Sequence, residues 1–479
     1  MKTKIAYASE LGAKLDSCVV NGGGTDDTAV LQTFLDEAKE GKQSICLIMD
    51  GASLITGLKL YSNTTIRCID DNCGFFLADG SNCPVVMNAN QVYKGEKLDT
   101  NITLEGGVYN QNSPNQQKSI EYDDESGYWG EKPCADVIES AGKKTAVSSD
   151  MVVAVLFAGV KYLKLSGITI RDQRNFAGMF RNWEHVLCEN ILIDLPHKVH
   201  GENQDGLHFH GPGQHLTMYN IRGCTSDDFI ALAPDEVDWV SSITDVLIDG
   251  VQLQDADQGI RMLCCHEGRL DRVVIKNVTG TYRSYGFFIN PFTSAGVKEG
   301  AGYGNIVIDT VNMTCVGVDY DYTENFLFRV GGRVEALTIR NIQNVKPYDS
   351  RYLVDVGLRY CYDACQNPDW DPESVIGSLV VDGINSYETD SASAPTEYVR
   401  VHSGTVRSLT VKNVNIVRED TCGKGGRLVH ICEPAKIANL NISDVYAENL
   451  NESICDESGK TENLNVNNVL IKSKKQKEF

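Results

Sequence analysis

Apolar and polar positions along the chain follow two different periods. Near the start, "GGGTDDTAVLQTFLDEAKEG" places apolar residues at helical spacing after Thr and Asp residues suited to begin a helix, and Gly41 follows them. This pattern predicts one amphipathic helix within residues 20–41, at the N-terminal end of the fold. After it the periodicity is that of short β-strands, and no long helical pattern returns.

The β-runs repeat a short motif in which an apolar pair encloses a turn-forming residue, usually Gly, Asn or Asp. These residues adopt left-handed backbone angles at least cost, so each copy predicts a sharp corner between two strands of one coil. The predicted corners are Gly167, Leu195, Asn220, Gly250, Asn277, Thr310, Asn341, Gly383, Asn413, Asp444 and Asn468. Coils of this length with such corners predict an all-β fold: a right-handed, single-stranded parallel β-helix with one short capping α-helix, forming a single domain over residues 1–479.

Two polar stretches, residues 109–150 and 346–375, interrupt the repeat and are predicted to be loops over the β-helix. The chain carries 65 acidic and 44 basic residues, a net charge of -21, which opposes binding to nucleic acid and anionic lipid. No apolar run reaches the ~18 residues of a membrane span. The N-terminus lacks an apolar leader segment, which predicts a cytoplasmic protein, or a secreted one whose leader is missing from this sequence.

The most informative segments are "NQDG", residues 203–206, and "SDDFIAL", residues 226–232. Asp205 precedes Asp227 by twenty-two residues, one coil of the predicted β-helix, so stacking would bring Asp205 beside Asp227 and Asp228 on the outer surface. Three adjacent carboxylates repel one another, which raises at least one pKa and keeps a proton available near neutral pH. Glycosidic bond cleavage requires such a pair of acid and base. A calcium site, or Asp residues that only form turns, would give the same spacing.

Aligning neighbouring coils on their corners extends this arrangement into columns. One apolar column is predicted to face inward, and it comprises Met179, Leu207, Phe229, Ile260 and Phe287. The next column is predicted to face outward, and it comprises Phe180, His208, Ile230, Arg261 and Phe288.

The two acidic segments, with "GGGTDDTAVLQTFLDEA" and "SGITIRDQRNFAGMF", resemble polygalacturonases and other members of glycoside hydrolase family 28 over about residues 20–345. The resemblance implies an inverting hydrolase in which Asp227 is the general acid, Asp205 and Asp228 position and deprotonate water, and Asn203 supports the site. The family's His on the next coil is replaced by Gln258. Its carboxylate-binding Arg-x-Lys falls on Phe288 and Asn290, which puts specificity for galacturonate in doubt.

The predicted function is therefore hydrolysis of a plant-type, pectic or related oligosaccharide, with no nucleic-acid or membrane partner. The substrate-binding candidates are Asn203, His208, Gln258, Arg261, His266 and Asn290. A polysaccharide lyase or uronate epimerase on the same fold, and a non-catalytic carbohydrate-binding β-helix, are the alternatives. No Gly-rich phosphate loop and no His/Cys group at zinc spacing is present, so no cofactor and no metal are predicted.

Overall fold

A computed structural model describes most of the chain. The described residues are 3–117, 152–200, 202–264, 266–291, 300–317, 326–344, 352–358, 374–389, 397–422 and 426–472. Contacts divide the chain into two compact units, Met1–Ala231 and Leu232–Phe479. Most of the two predicted loops lies outside the described residues, and the prediction of a single domain stays a prediction.

The first unit contains the single described α-helix, α1 Thr28–Leu35, which continues in a 3-10 turn, Asp36–Ala38; a second 3-10 turn is Ser113–Asn115. Its strands pair in parallel, as Val155–Ser166 does with Gly178–Asp194. The strands that begin in this unit are β1 Thr3–Tyr7, β2 Ser44–Met49, β3 Ala52–Ile55, β4 Leu58–Leu60, β5 Thr64–Cys68, β6 Gly74–Leu77, β7 Val86–Asn88, β8 Asp99–Glu105, β9 Val108–Asn110, β10 Val155–Ser166, β11 Thr169–Arg171, β12 Gly178–Asp194, β13 Leu207–His210, β14 Gly213–Gly223 and β15 Asp228–Ala233.

The second unit is built only from strands and one 3-10 turn, Asp420–Cys422, within the described residues. Its strands are β16 Ser242–Met262, β17 Arg269–Ile289, β18 Gly302–Cys315, β19 Phe326–Val330, β20 Arg333–Asn344, β21 Tyr352–Val356, β22 Val375–Glu388, β23 Glu397–Val401, β24 Thr405–Arg418, β25 Arg427–Ile431, β26 Lys436–Glu448, β27 Glu452–Asp456 and β28 Thr461–Lys472. Long strands pair in the order β16, β17, β18, β20, β22, β24, β26 and β28, and short strands in the order β19, β21, β23, β25 and β27. Because each strand pairs in parallel with its equivalent one coil later, the predicted right-handed parallel β-helix is confirmed.

The coils of the second unit stack identical kinds of side chain. One aliphatic column contributes a single residue per coil, and it runs through Ile248, Ile275, Ile308, Ile339, Val381, Val411, Ile442 and Val466. Ile275 is fully buried, whereas Val466 on β28 is 46% exposed. The column therefore forms the core of this unit, and β28 presents its last member to solvent.

Ten of the eleven predicted corners have positive φ angles, as the composition of the motif requires. The exception is Leu195: the corner of that coil is Asn190, with φ 55°. Asn side chains also link the corners of successive coils, since Asn220 Nδ2 donates to Asn190 Oδ1 at 2.8 Å and Asn277 Nδ2 donates to Asp249 Oδ1 at 2.7 Å. Asn is thus favoured at these corners by its backbone preference and by its amide.

The N-terminal helix is shorter than the range within which it was predicted. The side chain of its N-cap residue, Asp27, makes no capping hydrogen bond; the carboxylate instead accepts hydrogen bonds from the N–H groups of Lys14 and Leu15. Asp26 instead accepts the N–H of Thr28 at 2.9 Å. The acidic residues therefore fasten the preceding loop to the helix start. Among the described residues, no helix is long and apolar enough to cross a membrane.

Candidate active site

The segment 203–205 has two roles. The side chain of Gln204 anchors the loop, and the side chains of Asn203 and Asp205 belong to the acidic cluster, which comprises Asp205, Asp227 and Asp228. Gln204 is fully buried; its amide nitrogen donates to the carbonyl of Gln173 at 3.1 Å, and its amide oxygen accepts from Ser226 Oγ at 3.1 Å. Asn203 and Asp205 lie on either side of Gln204, and the amide of Asn203 connects the carboxylate of Asp205 to that of Asp227. The Gln between them thus fixes the loop that carries the two functional candidates.

Asn203 joins the carboxylates of the two coils. With its amide oriented to satisfy both contacts, its nitrogen donates to Asp227 Oδ2 at 2.9 Å and to Asp205 Oδ1 at 3.0 Å. These two oxygens are consequently no further apart than the sum of the two bonds. The prediction that Asp205 and Asp227 meet on adjacent coils agrees with this geometry.

Gly206 allows the two coils to approach this closely. Its N–H donates to the carbonyl of Asp228 at 2.8 Å, and its own carbonyl accepts the N–H of Gly178 at 2.9 Å. A Cβ atom on Gly206 would lie 2.2 Å from the carbonyl oxygen of Phe229, closer than any side chain tolerates. The Gly that follows Asp205 is therefore required by coil stacking rather than by an unusual backbone angle.

The environment of Asp227 favours a protonated carboxyl. Burial raises the pKa of Asp227 well above its usual range, and the charges of Asp205 and Asp228 raise it further. The N–H of Asp228, which donates to Asp227 Oδ1 at 3.0 Å, and the nearby His208 lower that pKa but do not reverse the shift. A carboxyl whose pKa is raised keeps its proton to higher pH, which is the direction of shift that a general acid needs.

His208 contacts Asp205 rather than standing alone on the surface. Its Nδ1 lies 2.8 Å from Asp205 Oδ2, and both side chains are almost completely buried. The imidazole is stacked between the rings of Phe176 and His210, with centroid distances of 4.7 and 4.5 Å. Asp205 thus has donors at both oxygens, from Asn203 and His208, which stabilises a charged carboxylate.

The register of the coil that precedes the site differs by one residue from the predicted columns. Gly178 pairs with Leu207, and Met179 pairs with His208. Phe180 stacks on Phe209 at 4.4 Å and is fully buried, so its predicted outward position is wrong. A run of apolar residues carries no alternation that would fix which residue points inward, and the stacked rings decide the register.

The remaining candidates belong to the second unit. Gln258 accepts a hydrogen bond from the hydroxyl of Tyr285, the residue it pairs with on β17. The guanidinium of Arg261 lies over the ring of Phe288, 3.8 Å from its centroid. The rings of these two partners, Tyr285 and Phe288, are in edge-to-face contact. Gln258 and Arg261 therefore each contact an aromatic side chain of β17, and these two aromatic rings contact each other.

His266 and Asn290 have clear local roles in the same unit. The imidazole of His266 stacks on Trp239 at 4.4 Å, and its backbone N–H donates to Asp235 at 2.7 Å. Asn290 is fully buried, and its Nδ2 donates to the carbonyl of Pro291 at 2.8 Å. That all four residues of this unit bind substrate stays a prediction.

Comparisons with known proteins found similar sequences and structures at low identity. Residues 405–455 match the model of a family described as "Domain of unknown function (DUF4147)". A polygalacturonase from Persea americana is 23% identical over 210 residues, which cover 38% of this chain and 41% of that protein. The chain thus matches less than half the length of this curated relative. Its likeness suggests the polygalacturonase family without establishing membership.

Two solved structures are similar to this chain over most of its length. A family 28 exopolygalacturonase from Yersinia enterocolitica is 13% identical with a TM-score of 0.48, and the match covers 98% of this chain and 78% of that one. A hyperthermoactive exopolygalacturonase from Thermotoga maritima is also 13% identical with a TM-score of 0.48, covering 92% of this chain and 91% of that one.

Proposed function

We propose that this protein is an inverting glycoside hydrolase that cleaves a pectic or related plant-type oligosaccharide. The observation that carries the proposal is the meeting of Asp205 with Asp227 and Asp228 on adjacent coils, bridged through Asn203; the raised pKa of Asp227 supports it. Asp227 protonates the leaving glycosidic oxygen. Asp205 and Asp228 position a water molecule and remove its proton as it attacks the anomeric carbon.

Asn203 and His208 act through the carboxylates in this proposal. Asn203 holds Asp205 and Asp227 at a fixed separation, and His208 orients Asp205 through the bond to its second oxygen. The oxygens of Asp205 and Asp227 that share Asn203 are closer than the ~6.5–9.5 Å usual between the two carboxyl groups of inverting enzymes. The configuration of the product is therefore the most informative property to measure.

The test is a screen of the purified protein against pectic, rhamnogalacturonan and neutral plant oligosaccharides, with the first-formed anomer followed by NMR. Hydrolysis with inversion is expected. Asp227→Asn should lower turnover by about 10²–10⁴-fold, the usual contribution of a general acid. The matched control is Asp249→Asn, which removes a surface carboxylate paired with Lys276 and should leave turnover unchanged.

Three outcomes contradict the proposal, each in a different way. A product with an ultraviolet-absorbing double bond indicates elimination rather than hydrolysis. Net retention of configuration makes Asp205 or Asp228 a nucleophile rather than a base. Binding without turnover, unaffected by Asp227→Asn, indicates a carbohydrate-binding protein.

A further inference from the structure

Coil stacking in the second unit collects a His, a Cys and a Glu at a second place on the molecule. His430 on β25 and Cys455 on β27 are register partners on adjacent coils, so their side chains leave the sheet on the same face. Glu457 follows two residues after Cys455, and its N–H continues the coil contact by donating to Ile431. One ligand atom from each of His430, Cys455 and Glu457 lies within 4.8 Å of the other two.

A fourth residue, Glu397, sets the orientation of the imidazole. Its Oε1 lies 2.6 Å from His430 Nδ1, so this nitrogen carries the hydrogen of the bond when the ring is neutral. The other ring nitrogen, Nε2, then keeps a free lone pair on the side where Glu457 Oε1 lies 3.3 Å away and Arg427 Nη1 lies 3.4 Å away. A carboxylate behind the imidazole and a ligand in front of it is the arrangement that most metal-bound histidines show.

We propose that His430 Nε2, Cys455 Sγ and the Glu457 carboxylate form a binding site for one thiophilic divalent cation, with zinc as the best fit. Nitrogen, sulfur and oxygen ligands together suit zinc, whereas calcium and magnesium prefer oxygen alone. Zinc bonds of about 2.0–2.3 Å require the three ligand atoms to move only slightly closer together. The side chain of Glu457 can make this movement because it is half exposed.

Arg427 is the cationic side chain beside this cluster. Its guanidinium lies 2.9 Å from Glu452, 3.6 Å from Glu397 and 3.9 Å from Glu457, and its Nη1 lies 3.4 Å from both ring nitrogens of His430. Both contacts of Arg427 to the proposed ligands, His430 and Glu457, are longer than its contact to Glu452. A bound cation therefore displaces Arg427 from His430 and Glu457, while Glu452 and Glu397 continue to neutralise the guanidinium.

The site would fasten the short strand β27 to β25, next to the exposed strand β28. Parallel coils are joined here by backbone hydrogen bonds and side-chain stacking, and one metal ion would add a bond that crosses two coils. Because a cation that binds only the folded state stabilises it, zinc should raise the melting temperature of the full-length protein. The proposed role is structural, and it is independent of the hydrolase proposal.

The experiment uses the full chain, freed of metal with a chelator and then titrated with zinc or cobalt(II). We expect one equivalent of zinc to remain after gel filtration. Cobalt should show a sulfur-to-metal charge-transfer band in the near ultraviolet. Zinc at about a hundred times its Kd should raise the melting temperature by roughly 5–10 °C.

Three variants separate a built site from chance binding. Cys455→Ser should abolish the charge-transfer band and the stabilisation by zinc, while melting like the wild type in chelator. Glu397→Gln should keep the band but weaken binding by about 10–100-fold, the usual effect of removing the residue that orients a histidine ligand. Cys18→Ser removes an exposed thiol of the first unit and should change nothing.

The proposal is overturned if less than half an equivalent of zinc is retained, or if the cobalt band persists in Cys455→Ser. It is equally overturned if Cys18→Ser loses the band. A Glu397→Gln variant that folds normally and binds zinc as tightly as the wild type removes the role given to Glu397.

Discussion

Replacing Gly206 by Ala tests the claim that close coil stacking creates the acidic site. The added Cβ would lie 2.2 Å from the carbonyl oxygen of Phe229 and 2.8 Å from Ile193 Cδ1. The backbone oxygen can give way only if the two coils separate by roughly 1 Å. Overpacking of this kind costs about 1–3 kcal/mol. Weakening the bond between the Gly206 N–H and the Asp228 carbonyl adds about 1 kcal/mol.

The expected total is a loss of about 2–4 kcal/mol, or roughly 4–15 °C in the melting temperature of a unit of this size. Thermal unfolding followed by circular dichroism measures it, and turnover should fall further because Asp205 moves away from Asp227. The control is Gly167→Ala, a corner at φ 66° where the added Cβ meets no atom within 4 Å. It should cost about 1–2 kcal/mol through its backbone angle alone and spare turnover. A Gly206→Ala protein that melts within about 2 °C of the wild type refutes the stacking argument.

Three further predictions follow from the same contacts. His208→Phe keeps a ring to stack but loses the bond to Asp205, so kcat should fall by about 10–100-fold with KM little changed, as steady-state kinetics would show; an unchanged kcat excludes the positioning role. The pKa of Asp227 is higher in the folded protein than in the unfolded chain, so the folded protein holds a proton that the unfolded chain releases. The free energy of unfolding should therefore fall as pH rises between these two pKa values. Urea unfolding measured across pH should show this decrease in the wild type and a smaller decrease in Asp227→Asn. Ile275→Ala should cost about 2–5 kcal/mol in urea unfolding, whereas Val466→Ala, at the exposed end of the same column, should cost under about 1 kcal/mol; equal losses contradict the core assignment.

The corners were the most predictable part of the fold. Gly, Asn and Asp at Gly250, Asn277 and Asp444 identify left-handed backbone from residue type alone, and these residues adopt it. Leu195 failed as a corner because it was placed by motif likeness, whereas Asn190 has the appropriate side chain. A left-handed backbone angle can therefore be predicted from the sequence wherever a residue type that favours this angle occupies the corner.

Contacts between coils were less predictable. The interval between Asp205 and Asp227 correctly indicated neighbouring coils, but nothing in the sequence fixes the orientation of the Asn203 amide between them. The pairing of Met179 with His208, one residue away from the expected register, depends on how rings pack. Register in an apolar run is decided by the shapes of side chains on other coils, and no local pattern records these.

The same limit explains why the sequence did not indicate the metal site that we propose. Known zinc motifs place their ligands a few residues apart, whereas His430 and Cys455 are separated by a whole coil and meet only through strand pairing. Glu397 lies a further coil back along the chain. Ligands distributed in this way become visible only once the coils are stacked.

Asp205 and Asp227 lie on adjacent coils, and the spacing of these coils is set by backbone hydrogen bonds, here those of Gly206. Their separation is therefore inherited from the strand repeat, near 4.8 Å in any parallel sheet, and not from the length of the segments that join the coils. Insertions in those segments can therefore change the surroundings of the two carboxylates without changing their separation. If the proposed hydrolase function is correct, such insertions could alter which sugar is bound while the acid and the base stay in place.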